Sequence, residues 1–255
     1  MMKMRVMRRN SQIVSKKIFK NLSLYSIFQK IPARYDRLNR LMTWGLDKKW
    51  RERTVKECLS LKPQAILDLC TGTGDMALLL AEKSDYPVKI TAVDFSNEML
   101  KIARIKLSDR LGKDIELYCQ NAANLKFKDE TFDAVTVSFG FRNLTFRNPN
   151  ASKHIGEILR VLKPGGICLI VESSQPENAI IRFFYHLYIR FIVKSFGTII
   201  SKYPPAYRYL ANSMINYFSP DEMSALLIRE GFKSVKPIRF LGGATALYIA
   251  RKNIF

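Results

Sequence analysis

Leu67-Asp68-Leu69-Cys70-Thr71-Gly72-Thr73-Gly74-Asp75 runs from a buried-strand pattern straight into a glycine turn and then into a helical pattern. Gly72 and Gly74 carry no Cβ, so the chain can turn sharply there and let a ligand approach the backbone closely. Asp94 falls at the end of the next apolar run, Val88 to Phe95, about twenty residues further on. A carboxylate at that place can accept both ribose hydroxyls of an adenosine.

Gly72-x-Gly74-x-x-Ala77 also satisfies the loose dinucleotide fingerprint, which leaves a nicotinamide cofactor open as an alternative. Asp75 argues against it, because it sets a negative charge at the helix N-terminus that a pyrophosphate would need. S-adenosylmethionine has no phosphate and brings an ammonium and a sulfonium, so an acidic residue suits it better.

Between Leu61 and Ile170 short apolar runs alternate with helical patterns, which predicts a parallel sheet with crossover helices. The strands expected are 65–70, 88–95, 115–120, 132–139 and 167–172, with helices over 75–83, 97–111 and 151–162. Lys163-Pro164-Gly165-Gly166 reads as a helix stop followed by a turn. Ser219-Pro220-Asp221-Glu222 has the composition of a capping box, and Gly231 ends the helix it opens. Strands over 233–240 and 245–251, separated by Gly242-Gly243, should pair as a hairpin. Ligands of such a sheet sit beyond the carboxyl ends of the strands. The residues to watch are therefore Thr71 to Asp75, Asp94 and Phe95, Asn121 and Ala122, Ser138 to Asn143, and Glu172 to Pro176.

A chain of 255 residues, 47% of them hydrophobic, can bury a full core, and one elaborated domain is expected. Cys58, Cys70, Cys119 and Cys168 show no CxxC spacing and read as small buried hydrophobes of a reducing compartment, not as disulfides, zinc ligands or nucleophiles. His154 and His186 lie in helical runs and are expected at a surface or interface. With 42 Lys and Arg against 22 Asp and Glu, the formal charge of +20 draws the chain to something anionic, a nucleic acid or a membrane surface. The bias is strongest at the start, where nine cations from Lys3 to Arg34 precede the first acidic residue, Asp36. Residues 1–27 are read as a basic tail, a disordered segment that touches lipid headgroups or an organellar transit peptide.

From Ala179 to Ile200 the chain is strongly apolar, yet Arg182, His186, Arg190 and Lys194 interrupt it at intervals of four. Three certain cations argue against a transmembrane helix and favour an interfacial one, with a core-packing helix as the alternative.

The chain resembles the quinone-biosynthetic C-methyltransferases, which methylate demethylmenaquinol or a 2-methoxy-6-polyprenyl-1,4-benzoquinol. The segments that carry the resemblance are Ala33 to Asn39, Leu67 to Asp75, Asn121-Ala122, Thr136 to Asn143, Leu162 to Gly166 and Tyr207 to Ala211. It implies a Rossmann-like α/β fold of the class I S-adenosylmethionine-dependent methyltransferases: a mostly parallel seven-stranded sheet, a C-terminal antiparallel hairpin and helical insertions. It places one domain over 28–255, with a helical lid at 28–60 and an apolar insertion at 178–218. It also implies donor contacts at Gly72, Thr73, Gly74, Asp94, Asn121, Ala122 and Ser138, and puts Arg142 and Asn143 beside the reacting quinol. Tyr35, Asp36 and Tyr207 are the lid and substrate candidates. Glu172-Ser173-Ser174-Gln175-Pro176 departs from the family's aromatic and lysine after the glutamate, which leaves the headgroup open.

The chemistry agrees. A hydroquinone ring carbon becomes nucleophilic when its phenol loses a proton, and Arg142 is a fixed cation able to stabilise that phenolate while Asn143 positions a water that removes the proton. A nucleic-acid methyltransferase is the rival reading. Against it, Ser138-Phe139-Gly140-Phe141 stands where amine methyltransferases carry Asn or Asp, Pro-Pro and an aromatic, and no cysteine is placed for ring methylation of cytosine. The expected partners are a polyprenylated quinol and an anionic membrane surface, without nucleic acid, and a homodimer is left open. The expected location is the cytoplasmic face of the membrane, or the mitochondrial matrix side if the tail is a transit peptide.

Overall fold

The protein is described here from a computed structural model covering residues 40–109, 114–193 and 204–254. Its elements in chain order are α1 (Leu46–Leu59), β1 (Ala65–Leu69), α2 (Asp75–Lys83), β2 (Lys89–Asp94), α3 (Asn97–Lys106), β3 (Ile115–Cys119), β4 (Phe132–Ser138) and α4 (Phe141–Thr145). There follow α5 (Ala151–Val161), β5 (Leu162–Ser173), α6 (Ala179–Tyr188), α7 (Pro204–Ile215), α8 (Pro220–Arg229), β6 (Ser234–Phe240) and β7 (Thr245–Arg251).

The seven strands form one sheet in the order β3-β2-β1-β4-β5-β7-β6. β1 to β5 pair in parallel, and β7 enters antiparallel between β5 and β6. Alternation along each strand feeds two cores. Leu67, Leu69, Val135 and Val137 pack with Ile155 and Ile158 of α5 and Met223 and Leu227 of α8. Ile66, Ala134 and Ala92 pack on the other face with Val55 and Cys58 of α1, Leu80 of α2 and Leu107 beyond α3. Helices therefore cover both faces, and the strand order reverses at β1 and β4, where such sheets bind ligands.

The predicted elements and the hairpin are present. The Ser219 side chain accepts from the Glu222 amide, and the Glu222 side chain accepts from the Ser219 amide, as the capping box requires. One expectation needs correcting: Lys163-Pro164-Gly165-Gly166 lies within β5 and is not a separate turn. The register passes from Phe132 opposite Leu162 to Ala134 opposite Ile167, so these residues bulge out of the ladder. Gly165, at φ 73°, makes the bend, while its amide donates to Asn253 O and Gly166 O accepts from the Lys252 amide. α3 also ends sooner than expected, at Lys106.

The apolar segment forms α6, followed by a π-helical turn over Ile189–Val193. No residue of α6 is buried. Ile180, Phe183, Phe184 and, in the turn, Phe191 are each more than 60% exposed, so the alternative of a core-packing helix does not hold for this face. Among the described residues no helix is long and apolar enough to cross a membrane. The tail, Tyr35 and Asp36 lie outside the described residues.

Candidate functional site

The loops after β1 to β4 enclose a cavity of about 520 Å³, within the roughly 300–1,000 Å³ of small-molecule sites. Its walls include Gly72, Thr73, Asp94, Asn121, Ala122, Ser138 and Asn143. Sequence topology had singled out these loops because the sheet delivers each of them at a strand's carboxyl end.

The backbone is bent hard at this place. Cys70 after β1 and Phe139 after β4 have φ of 59° and 56°, unusual for residues with a side chain, and Gly72 and Gly74 are left-handed at 57° and 86°. A Cβ on Gly140 would stand 2.5 Å from that of Cys70, so only glycine lets the two loops close on one another. Gly72 has open space where a Cβ would be. Gly74 serves differently: it is not part of the cavity wall, and a Cβ there would meet Leu107 Cδ1 at 2.9 Å. Its freedom serves the packing of α2 against the end of α3.

Asp94 is 7% exposed and fastens two loops: Oδ2 accepts from the Gly72 amide and Oδ1 from the Ser96 amide, each at 2.9 Å. Burial raises its pKa, and the amides oppose the rise. The Phe95 amide adds a third bond, and a carboxylate of about four acceptor sites keeps one for a ribose hydroxyl. Thr73 is buried, and its Oγ1 accepts from Lys106 Nζ at 3.1 Å. The same ammonium pairs with Asp75 at 2.5 Å, so the acid at the N-terminus of α2 has a lysine partner beside the site. Asn121 Oδ1 accepts from the Ala123 amide at 2.9 Å, which fixes the turn after β3.

Arg142 is buried but is not among the wall residues. Its amide donates to Glu172 Oε2 at 3.0 Å, its Nε to Ser173 Oγ at 3.3 Å and its Nη1 to Ser213 Oγ, and Glu172 Oε1 lies 3.6 Å from Nε. Asn143, the next residue, does line the cavity, and its Oδ1 accepts from the Tyr209 hydroxyl at 3.4 Å. Arg142 thus sits behind Asn143, in a polar cluster joining α4, the end of β5 and α7. Tyr207 falls in α7.

Several wall residues had no role in the sequence reading. Asp68 is wholly buried, and burial raises its pKa to about 6 although the hydroxyls of Thr71 and Thr136 donate to it. A carboxylate inside an apolar strand was the available signal, since burying one is costly without a purpose. His154 corrects the surface expectation: it is 6% exposed, reaches the cavity wall, and shares a 2.9 Å hydrogen bond between Nδ1 and Leu144 O. A carbonyl only accepts, so Nδ1 carries the proton, and burial favours the neutral ring. His186 is half-buried, with Nε2 2.7 Å from Gln175 Oε1. Cys119 is exposed, not buried, and lines the cavity with Cys70; all four cysteines are free. Arg51 enters the wall from α1.

A glycine cradle, a buried acid at the end of β2 and a further acid in β1 fit a cationic nucleoside. The sequence profile of the ubiE/COQ5 methyltransferase family matches residues 16–252. The chain belongs to that family. It is similar to the demethylmenaquinone methyltransferase of Staphylococcus saprophyticus, 34% identical over 233 residues that cover 91% of this chain and 97% of the relative. The demethylmenaquinone methyltransferase of Thermotoga maritima is 40% identical over 218 residues, 84% of this chain and 90% of the relative. The ubiquinone/menaquinone biosynthesis C-methyltransferase UbiE of Geotalea daltonii is 35% identical over 235 residues, 91% and 97% of the two chains. Among solved structures, an S-adenosylmethionine-dependent methyltransferase from Thermotoga maritima, described as a possible histamine N-methyltransferase, shares the fold with a TM-score of 0.61 and 20% identity over 91% of this chain and all of that one. As a member of the ubiE/COQ5 family, the protein is a methyltransferase whose methyl donor is S-adenosylmethionine.

Proposed function

We propose that the protein methylates a ring carbon of a polyprenylated quinol in menaquinone or ubiquinone biosynthesis, with demethylmenaquinol as the first acceptor to test. The observation that carries this reading is the junction of donor cavity and polar cluster at Asn143, whose side chain meets Tyr209 while Arg142 and Glu172 stand behind it. The names borne by the relatives support the acceptor class.

The donor supplies an electrophilic methyl group on a sulfonium. Asp94, Thr73 and the turn at Asn121 and Ala122 would hold its nucleoside part, with Ser138 in the same wall. Asn143 orients the quinol hydroxyl or a water that accepts its proton. The Arg142 charge, one residue away, lowers the cost of phenolate formation without donating a proton.

The isoprenoid tail arrives from an anionic membrane surface. The exposed side chains of α6, together with Trp44 at 83% and Leu241 at 59% exposure, support that contact, and Arg182 and Arg190 stand ready for headgroups. The location proposed is the cytoplasmic face of the membrane; removal of the basic tail as a transit peptide would instead place the enzyme on the mitochondrial matrix side.

The test is methyl transfer from labelled S-adenosylmethionine to chemically reduced, detergent-dispersed demethylmenaquinol and methoxybenzoquinol. Label on one ring carbon of either is the expected result and names the headgroup. Donor binding without label in either quinol removes the acceptor and makes nucleic acid the next to try. Sedimentation with vesicles containing acidic phospholipid, against neutral ones, tests the membrane contact.

A further inference from the structure

The acids of the cavity pose a question of charge. Asp68, Asp75 and Asp94 all stand in its wall, whereas among the described wall residues Arg51 is the one Lys or Arg side chain. The amino-acid end of S-adenosylmethionine is not only cationic. It also carries a carboxylate; Lys106 already holds Asp75, but Asp68 and Asp94 would repel that carboxylate unless a cation met it.

Arg51 is held for such a task. Its Nη1 lies 2.5 Å from Asp47 Oδ2, its Nε donates to Ser138 Oγ at 3.1 Å, and its guanidinium carbon stands 5.3 Å from the centre of the Phe139 ring. The side chains of Arg51 and Asp47 are only 12% and 4% exposed. An i,i+4 pair on a helix is ordinarily solvated, and here it is largely shielded, with Arg51 in the wall. α1 is anchored by Trp50, whose ring packs 6.1 Å from Phe139 and stacks 6.0 Å from Phe240, so the arginine one residue on has a fixed base. A guanidinium has five N–H donors, and the described residues engage Nε and Nη1, leaving the Nη2 edge for a carboxylate.

The position agrees as well. Ser138 ends β4 and Phe139 follows it, next to β1, whereas Asp94 ends β2 on the other side of β1. A donor with its ribose on Asp94 and its chain across the end of β1 would bring its far end toward Arg51. We propose that Arg51 binds the carboxylate of the donor's methionine end, tying α1 to the occupancy of the donor site. This rests on the methyltransferase reading of the cavity.

The experiment compares adenosyl ligands with and without that carboxylate. Calorimetry on the full chain uses S-adenosylhomocysteine, 5′-methylthioadenosine, which lacks the amino acid, and decarboxylated S-adenosylmethionine, which keeps the ammonium and sulfonium. Arg51→Gln should weaken S-adenosylhomocysteine by about tenfold or more and leave the other two within about twofold. Arg51→Gln with Asp47→Asn, which leaves no buried acid unpaired, should give the same pattern, and retained methylthioadenosine binding shows that each variant is folded. An equal loss for all three ligands, or no loss for S-adenosylhomocysteine, overturns the assignment. If the unaltered protein binds none of them, it is the donor site itself that fails.

Discussion

The carboxylate of Asp94 accepts the Gly72 amide at 2.9 Å, so the acid that ends β2 also holds the glycine turn that follows β1. Removing it loses a ribose acceptor and frees the turn at once. Asp94→Ala should lower S-adenosylhomocysteine affinity by about 3 kcal/mol or more, since hydrogen bonds to charged groups contribute about 1.5–3 kcal/mol each. Asp94→Asn keeps an acceptor for the turn and should lose less. Calorimetry of the two variants checks the order, and equal, undiminished binding in both would remove the ribose role.

Gly72 and Gly74 look alike in sequence and differ in what surrounds them. At Gly72 an added Cβ meets only open space beside the cavity, and at Gly74 it strikes Leu107 at 2.9 Å with φ at 86°. Gly72→Ala should cost about 1–2 kcal/mol of stability for its left-handed backbone and should weaken donor binding. Gly74→Ala should cost more stability, by about 1–3 kcal/mol for the added overpacking. Denaturant unfolding orders the two, and an equal loss would mean that Leu107 yields freely.

The sheet was legible because apolar runs of strand length alternate with amphipathic helices, and a parallel sheet then dictates which loops face the ligand. What escaped notice depends on contacts far apart in sequence. Arg51 and Asp47 drew no reading from the sequence because nothing local shows that α1 tucks Arg51 against Ser138. Gly165 reads as a turn because the Asn253 carbonyl that receives its amide lies at the other end of the chain. His154 could have been found: with Ile155, Ile158 and Val161 it falls on the buried stripe of α5.

Arg142 and Glu172 form a pair 6% and 0% exposed, and taking away one partner strands the other. Arg142→Ala should therefore lower stability by about 3–5 kcal/mol as well as slow turnover. Arg142→Ala with Glu172→Gln should recover part of the stability and none of the turnover if the charge acts on the phenolate. Donor affinity should stay unchanged in both, because Arg142 is not part of the cavity wall. Thermal unfolding, calorimetry and labelled methyl transfer on the same preparations separate the three effects, and full turnover in the double variant would end the electrostatic role.

Asp68 predicts a pH signature. Burial holds its pKa at about 6, against the hydroxyls of Thr71 and Thr136 and the charge of Arg51, with Asp94 adding to the rise. Unfolded, the group titrates near 3.9, at roughly the ordinary aspartate value. Between these values the folded chain keeps a proton that the unfolded chain has lost. Its contribution to stability is therefore full below about pH 4 and is lost as pH rises through about 6, by at most about 3 kcal/mol. Donor binding runs the opposite way. The ammonium and sulfonium favour the ionised carboxylate, so binding should release a proton near pH 6 and affinity should rise between about pH 5 and pH 7. Calorimetry in two buffers of different ionisation enthalpy reads the proton directly. Asp68→Asn should abolish the release, and His154→Gln, which removes the buried imidazole of the wall, should retain it. Release that survives Asp68→Asn would assign the proton elsewhere in the cavity.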